Sequence, residues 1–72
     1  MHINPDTLAT LKQSYPPNTR IKLIHMDDPR PVPAGTCGTV QFIDDIGQIH
    51  MKWDNGSTLA LNPVSDRYEP LV

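Results

Sequence analysis

Ile49-His50-Met51-Lys52-Trp53-Asp54-Asn55-Gly56-Ser57-Thr58-Leu59-Ala60-Leu61 decides the fold, because it holds a hairpin whose register can be read from its side chains. Two turns fit the middle of it: a two-residue Asn-Gly turn, or a three-residue loop with Gly56 in a G1 bulge. The first sets Leu59 opposite Lys52 and Leu61 opposite His50. The second sets Leu59 opposite Met51 and Leu61 opposite Ile49, which joins the apolar faces. A one-residue slip turns every side chain over, so the three-residue loop is the reading that makes a core. It requires Gly56 to be left-handed, which costs glycine almost nothing. One strand is therefore expected over residues 48–53 and another after Gly56, ended by Pro63.

Upstream, residues 19–26 are rich in β-branched and apolar types, with Ile21 and Leu23 on one face and Arg20 and Lys22 on the other. Residues 27–35 contain three prolines and cannot hold a regular strand, so a long, stiff loop is expected there. Residues 36–44 read as the second strand, with Gly38 as a bulge or bend. Asp45-Ile46-Gly47 turns the chain into residues 48–53. Before all of these, Asn4-Pro5-Asp6 reads as a helix start: Asn at the N-cap, Pro at the first helical position, an acid at the positive end. Leu8, Leu11 and Tyr15 follow at helical spacing until Pro16-Pro17 stops the helix. At the other end, Val64-Ser65-Asp66 suits a single helical turn, and Arg67-Tyr68-Glu69 a short closing strand.

These elements describe a mainly β fold: a small five-stranded SH3-like barrel with a short N-terminal α-helix. Residues 1–17 form the helix and proline linker, packed against one open end, and residues 18–72 form the barrel. There are no repeats or low-complexity tracts. The chain has 72 residues, so its core is thin. Its single cysteine, Cys37, excludes an internal disulfide, and zinc-ligand spacing is missing. Packing and tight turns must supply the stability. No apolar run approaches the roughly 20 residues that span a bilayer. Residues 1–6 lack the features of a signal peptide, so a cytoplasmic location is expected. The formal charge of −2 argues against strong phosphate-backbone binding.

Tyr15-Pro16-Pro17-Asn18-Thr19-Arg20-Ile21-Lys22-Leu23, Met26-Asp27-Asp28-Pro29, Gly35-Thr36-Cys37-Gly38-Thr39-Val40, Asp44-Asp45-Ile46-Gly47 and Trp53-Asp54-Asn55-Gly56-Ser57 together resemble a small bacterial and phage family, domain of unknown function 4314. The resemblance covers roughly residues 15–69 and implies a small β-barrel without assigning an activity, partner or site. More loosely, Gly35-x-x-Gly38-Thr39-Val40-x-x-Ile43 is similar to the KOW motif of ribosomal and transcription-elongation barrels, here with few basic residues around it. The element order also resembles true SH3 domains, with Pro63 and Tyr68 near the places where those keep a proline and a tyrosine.

Two aspartate pairs, Asp27-Asp28 and Asp44-Asp45, lie in the first loop and the second hairpin, and are expected to converge on one face. Such a patch would attract a basic peptide or a weak divalent cation, or would simply satisfy turn donors. His25 and His50 lie on strands, without spacing diagnostic of a metal. Cys37 sits on a strand with no helix N-terminus to lower its pKa, and the serines have no base at a recognisable spacing. No catalytic constellation, metal site or cofactor is expected. Trp53 shares a face with Ile49 and Met51, which places it in the core. An exposed ring edge beside Tyr68, Pro63 and the proline-rich loop would instead form a groove for an extended basic segment.

The expectation is thus a non-catalytic protein-interaction or accessory module, a monomer or weak homodimer, with another protein or a peptide as partner. Its expected contact surface is Asp27, Asp28, Pro31, Pro33, Asp44, Asp45, Trp53 and Tyr68. The alternative is a KOW-like nucleic-acid binder using Arg20, Lys22, Arg30 and Lys52, which requires these four to gather on one face.

Overall fold

Trp53 sets the frame. Its ring is 1% exposed and lies against Gly38 of the neighbouring strand, where a Cβ would stand 2.6 Å from Trp53 Cε3. Only glycine allows that approach, so Gly38 is paired regularly with Trp53 and is not the expected bulge. The computed structural model describes residues 4–71. It comprises α1 (Pro5–Ser14), β1 (Arg20–His25), β2 (Cys37–Ile43), β3 (Ile49–Trp53) and β4 (Arg67–Pro70). The strands form one antiparallel sheet in the order β3-β2-β1-β4.

The helix forms where its caps predict. The Asn4 side chain accepts the Asp6 N–H at 2.8 Å, Pro5 stands in the first turn, and the Tyr15 N–H closes the end on the Leu11 carbonyl at 3.0 Å. Pro16 and Pro17 then enter a type II turn, with Asn18 left-handed at φ 75° and the Thr19 N–H donating to the Pro16 carbonyl. Both hairpins use the same device. In each, an N–H returns three residues to close the turn (Gly47 to the Asp44 carbonyl, Gly56 to the Trp53 carbonyl), and that glycine is left-handed. Trp53 N–H to Ser57 carbonyl and the Ile49–Leu61 bridge give the register expected from the apolar faces.

The expected strand after Gly56 does not form, so there are four strands among the described residues where five were expected, and the sheet is open rather than closed into a barrel. Its backbone groups go to side chains instead: the Trp53 indole N–H donates to the Leu59 carbonyl at 2.9 Å, Ser57 N–H to Asn55 Oδ1, and Leu59 N–H to Ser57 Oγ. Such local bonds compete with a ladder. Leu61 alone bridges to Ile49, while Leu59 is partly exposed. Residues 63–65 make a turn closed by Asp66 N–H on the Asn62 carbonyl, the four-residue bond of the single helical turn expected there.

Ile21, Leu23, Val40, Ile43, Ile49, Met51 and Trp53 line the inner face of the sheet, joined by Met26, Val32 and Leu61 from loops. Leu8, Leu11, Tyr15 and Tyr68 pack at its margin, so the helix leans on the core without any fully buried residue. Asp66 is a buried carboxylate whose oxygens accept the N–H groups of Asp27 and Asn62, each at 2.8 Å, fastening the first loop to the last turn.

Because the Trp53 ring fills the space beside Gly38, Gly38→Ala is expected to destabilise by about 1–3 kcal/mol. In urea unfolding the midpoint should fall at constant m. An unchanged midpoint would show that the ring has room to move aside.

Candidate functional site

β2 contains the irregularity that shapes the surface. Between Val40↔Met51 and Phe42↔His50 the register shifts by one residue, so the bulge sits at Gln41. The extra residue turns Ile43 inward onto Ile49 and sends Phe42 outward, where it is 50% exposed. The Phe42 ring stacks flat on His50, with centroids 4.2 Å apart and planes 9° from parallel. His50 Nε2 in turn meets Asp44 Oδ2 at 2.8 Å. The other oxygen of Asp44 accepts the N–H groups of Ile46 and Gln48, the usual work of an aspartate opening a turn. Partial burial pushes the Asp44 carboxyl up, but the hydrogen bonds from His50, Gln48 and Ile46 outweigh it and leave it below its ordinary 3.8.

β2 also runs on past its last register pair with β1, Arg20↔Thr39. The turn at Pro16 and Pro17 leads the chain away, and a cleft of about 220 Å³ opens there, lined by Lys12, Tyr15, Pro17, Phe42 and Ile43. Tyr15 is fixed from behind by an edge-to-face contact with Tyr68, centroids 5.5 Å apart. Burial, then Tyr15 and Asp66, pushes the Tyr68 hydroxyl up to about 12. A larger hollow along the exposed face of α1, lined by Asp6, Thr7, Thr10, Leu11, Ser14 and Tyr15, is open to solvent along the helix.

The residues expected to form an acidic, aromatic groove lie apart. The loop with Asp27 and Asp28 leaves the Cys37 end of β2, while Asp44 and Asp45 stand beyond Ile43, at the far end of a seven-residue strand. At about 3.3 Å per residue, that is about 20 Å along the strand. Trp53 is in the core and offers no stacking face. Pro31 and Pro33 are exposed on either side of buried Val32, which pins the loop down. Asp28 accepts the Arg30 N–H at 2.8 Å, a local turn bond. Tyr68 is half-buried against Tyr15.

Three of the four basic residues do share a side. Arg20 and Lys22 alternate with buried Ile21 and Leu23, and Lys52 lies between buried Met51 and Trp53. Register aligns Arg20 with Thr39 and Thr39 with Lys52. Arg30 is away from them, in the loop. Arg20 is held by Asp54 through two bonds of 2.8 and 2.6 Å and also reaches Thr39 Oγ1 at 3.0 Å. This hydrogen bonding lowers the Asp54 carboxyl below its ordinary range and raises Arg20. Lys22 faces Glu69 across β4.

His25 pairs with Arg67 at one end of the sheet and His50 with Phe42 at the other, with β2 between their strands. Among the described residues, no three His, Cys, Asp or Glu side chains gather as metal ligands. Cys37 is a free thiol opposite Lys22. No described helix is long and apolar enough to cross a membrane.

The family model for Domain of unknown function (DUF4314) matches residues 4–71. The chain belongs to this family. No curated protein and no solved structure matches it. For this DUF4314 domain, the sequence reading missed Phe42, Lys12 and Ile43 as surface-shaping residues. The signal was present in Phe42-Ile43: two large apolar neighbours cannot both face one core in a regular strand.

Because Asp44 ionises below its ordinary value in the folded state, its charge stabilises the fold above about pH 4, and that contribution is lost as pH falls through the folded value. Asp44→Asn should therefore be less stable than wild type near neutrality, by about 1 kcal/mol. Urea midpoints of the two proteins should converge in acid. A gap that stays constant down to about pH 3 would refute the linkage.

Proposed function

We propose that this domain is a non-catalytic protein-interaction module whose contact surface centres on Phe42. One observation carries the reading: an aromatic ring, half exposed, is held in a fixed orientation by stacking on His50, beside a cleft with apolar walls. Aromatic anchors in preorganised clefts dominate protein interfaces, and a ring already immobilised loses little entropy on binding. Three of the domain's carboxylates are committed to structural bonds. Asp44 and Asp66 hold turns, and Asp54 holds Arg20.

The strand order supports an SH3-like architecture as the finer reading. β4 lies beside β1, the hairpins follow in sequence through β2 and β3, and Leu61 bridges onto the outer edge of β3 where a fifth strand would close the barrel. Nucleic-acid binding is the second reading, favoured by the line of Arg20, Thr39 and Lys52 with Lys22 on the same side. The Asp54 and Glu69 carboxylates beside Arg20 and Lys22 weaken it, because backbone affinity grows with phosphates neutralised.

Selection of a random peptide library on the immobilised domain tests the first reading. Enriched peptides should bind Phe42→Ala at least about tenfold more weakly, the loss typical of an interface anchor. That variant should keep its unfolding free energy within about 1 kcal/mol of wild type, since half the ring is already in solvent. Enriched peptides indifferent to Phe42, or selection that enriches nothing while single-stranded oligonucleotides bind with steep salt dependence, would overturn it.

A further inference from the structure

The cleft beside Phe42 also specifies what enters it. We infer that it receives one apolar side chain of an extended, acidic segment of a partner protein, an inference that rests on the interaction-module reading.

Size comes first. Small-molecule and cofactor sites run from about 300 Å³ upward, and this cleft is about 220 Å³. It accommodates one ring or branched side chain. Its apolar walls are Tyr15, Pro17, Phe42 and Ile43. Neither aromatic wall has to be ordered by the ligand, since Tyr15 leans on Tyr68 and Phe42 on His50. The location favours extended chain as well. Val40 is the last residue of β2 bonded on that side, to Asn18 and Thr19, so no strand lies beside residues 41–43, next to the cleft.

Charge sets the flanks. Lys12 stands on the cleft wall and, among the described residues, has no carboxylate within 4.0 Å. Lys52 stands two residues from His50 on the same outer face, and it too has no such partner among the described residues. The nearest carboxylates on that face are engaged: Asp44 with His50 and two backbone donors, Asp54 with Arg20. Asp45, exposed at the hairpin, repels an acidic chain from that end and directs it toward Lys12. The cations are left to the partner, and they match acidic residues beside the anchor. This is opposite in sign to the basic segment that the aspartate pairs suggest from sequence alone.

NMR titration of the isotope-labelled domain distinguishes the outcomes. The probes are a short peptide with a central Phe flanked by Asp and Glu, its twin with Lys and Arg flanks, and a short oligodeoxythymidine. The acidic peptide should shift the amides of Tyr15, Phe42 and Ile43, and lose affinity as salt rises. Phe42→Ala should abolish the shifts. Lys12→Glu, an exposed helix change that leaves the fold intact, should weaken binding about fivefold, the scale of an exposed ion pair. Equal or tighter binding of the basic twin at the same amides overturns the acidic partner while leaving the interaction module standing. Oligonucleotide shifts centred on Arg20, Lys22 and Lys52, with neither peptide binding, overturn both. Silence with the acidic peptide overturns the inference.

Discussion

The close approach of Trp53 to Gly38 is the constraint on which the rest of the structure depends. It lets the Trp53 ring lie over β2 at a distance that a side chain at position 38 would not allow. The same ring reaches across to the Leu59 carbonyl with its indole N–H. One side chain therefore fixes the central strand pair and pins the segment that returns from the hairpin. In a chain of 72 residues with a thin core, this shared anchor replaces the disulfide or metal that other small folds use.

Two registers then have to be satisfied at once. The turn at Asp44 and Gly47 sets Ile43 opposite Ile49, and Trp53 demands Gly38 opposite itself. Between these points β2 has one residue more than β3, and the surplus appears as the bulge at Gln41. Phe42 leaves the core for that reason, and His50 lies where it can receive the ring. The surface feature of greatest functional interest thus follows from a packing requirement more than 10 Å along the strand, at about 3.3 Å per residue.

Much of this was legible in the sequence where a local rule had one solution. Asn4-Pro5 marked the helix start, and the matching of apolar faces chose the Gly56 loop over its rival. Legibility ended where a residue has two uses. Gly38 in a strand signals either a bulge or a close backbone approach, and only the identity of its neighbour, Trp53, separates them. Residues 57–60 read as strand by composition, but Asn55, Ser57 and Trp53 satisfy their backbone groups locally. The aspartate pairs were placed together by loop order alone, whereas the register puts their loops at opposite ends of β2. Alternation revealed the basic face, but not that Arg20 is tied to Asp54, 34 residues away.

An isolated exposed apolar residue needs no special explanation, since much of any protein surface is apolar. Phe42 differs because its exposure has been made rigid. Burying the half that faces solvent would contribute about 1 kcal/mol, a substantial fraction of what a domain this small has in reserve. A bulge one residue later in β2 would satisfy the same count, but would set Gln41 opposite His50 and leave Phe42 as the extra residue. Placed at Gln41, it delivers the ring to His50, and Asp44 then holds His50 through the carboxylate that also closes the hairpin. The turn, the ion pair and the stacked ring are therefore one mechanical unit. A disturbance at Asp44 reaches the surface at Phe42 without passing through the core, and at this end of the sheet hairpin stability and surface geometry change together.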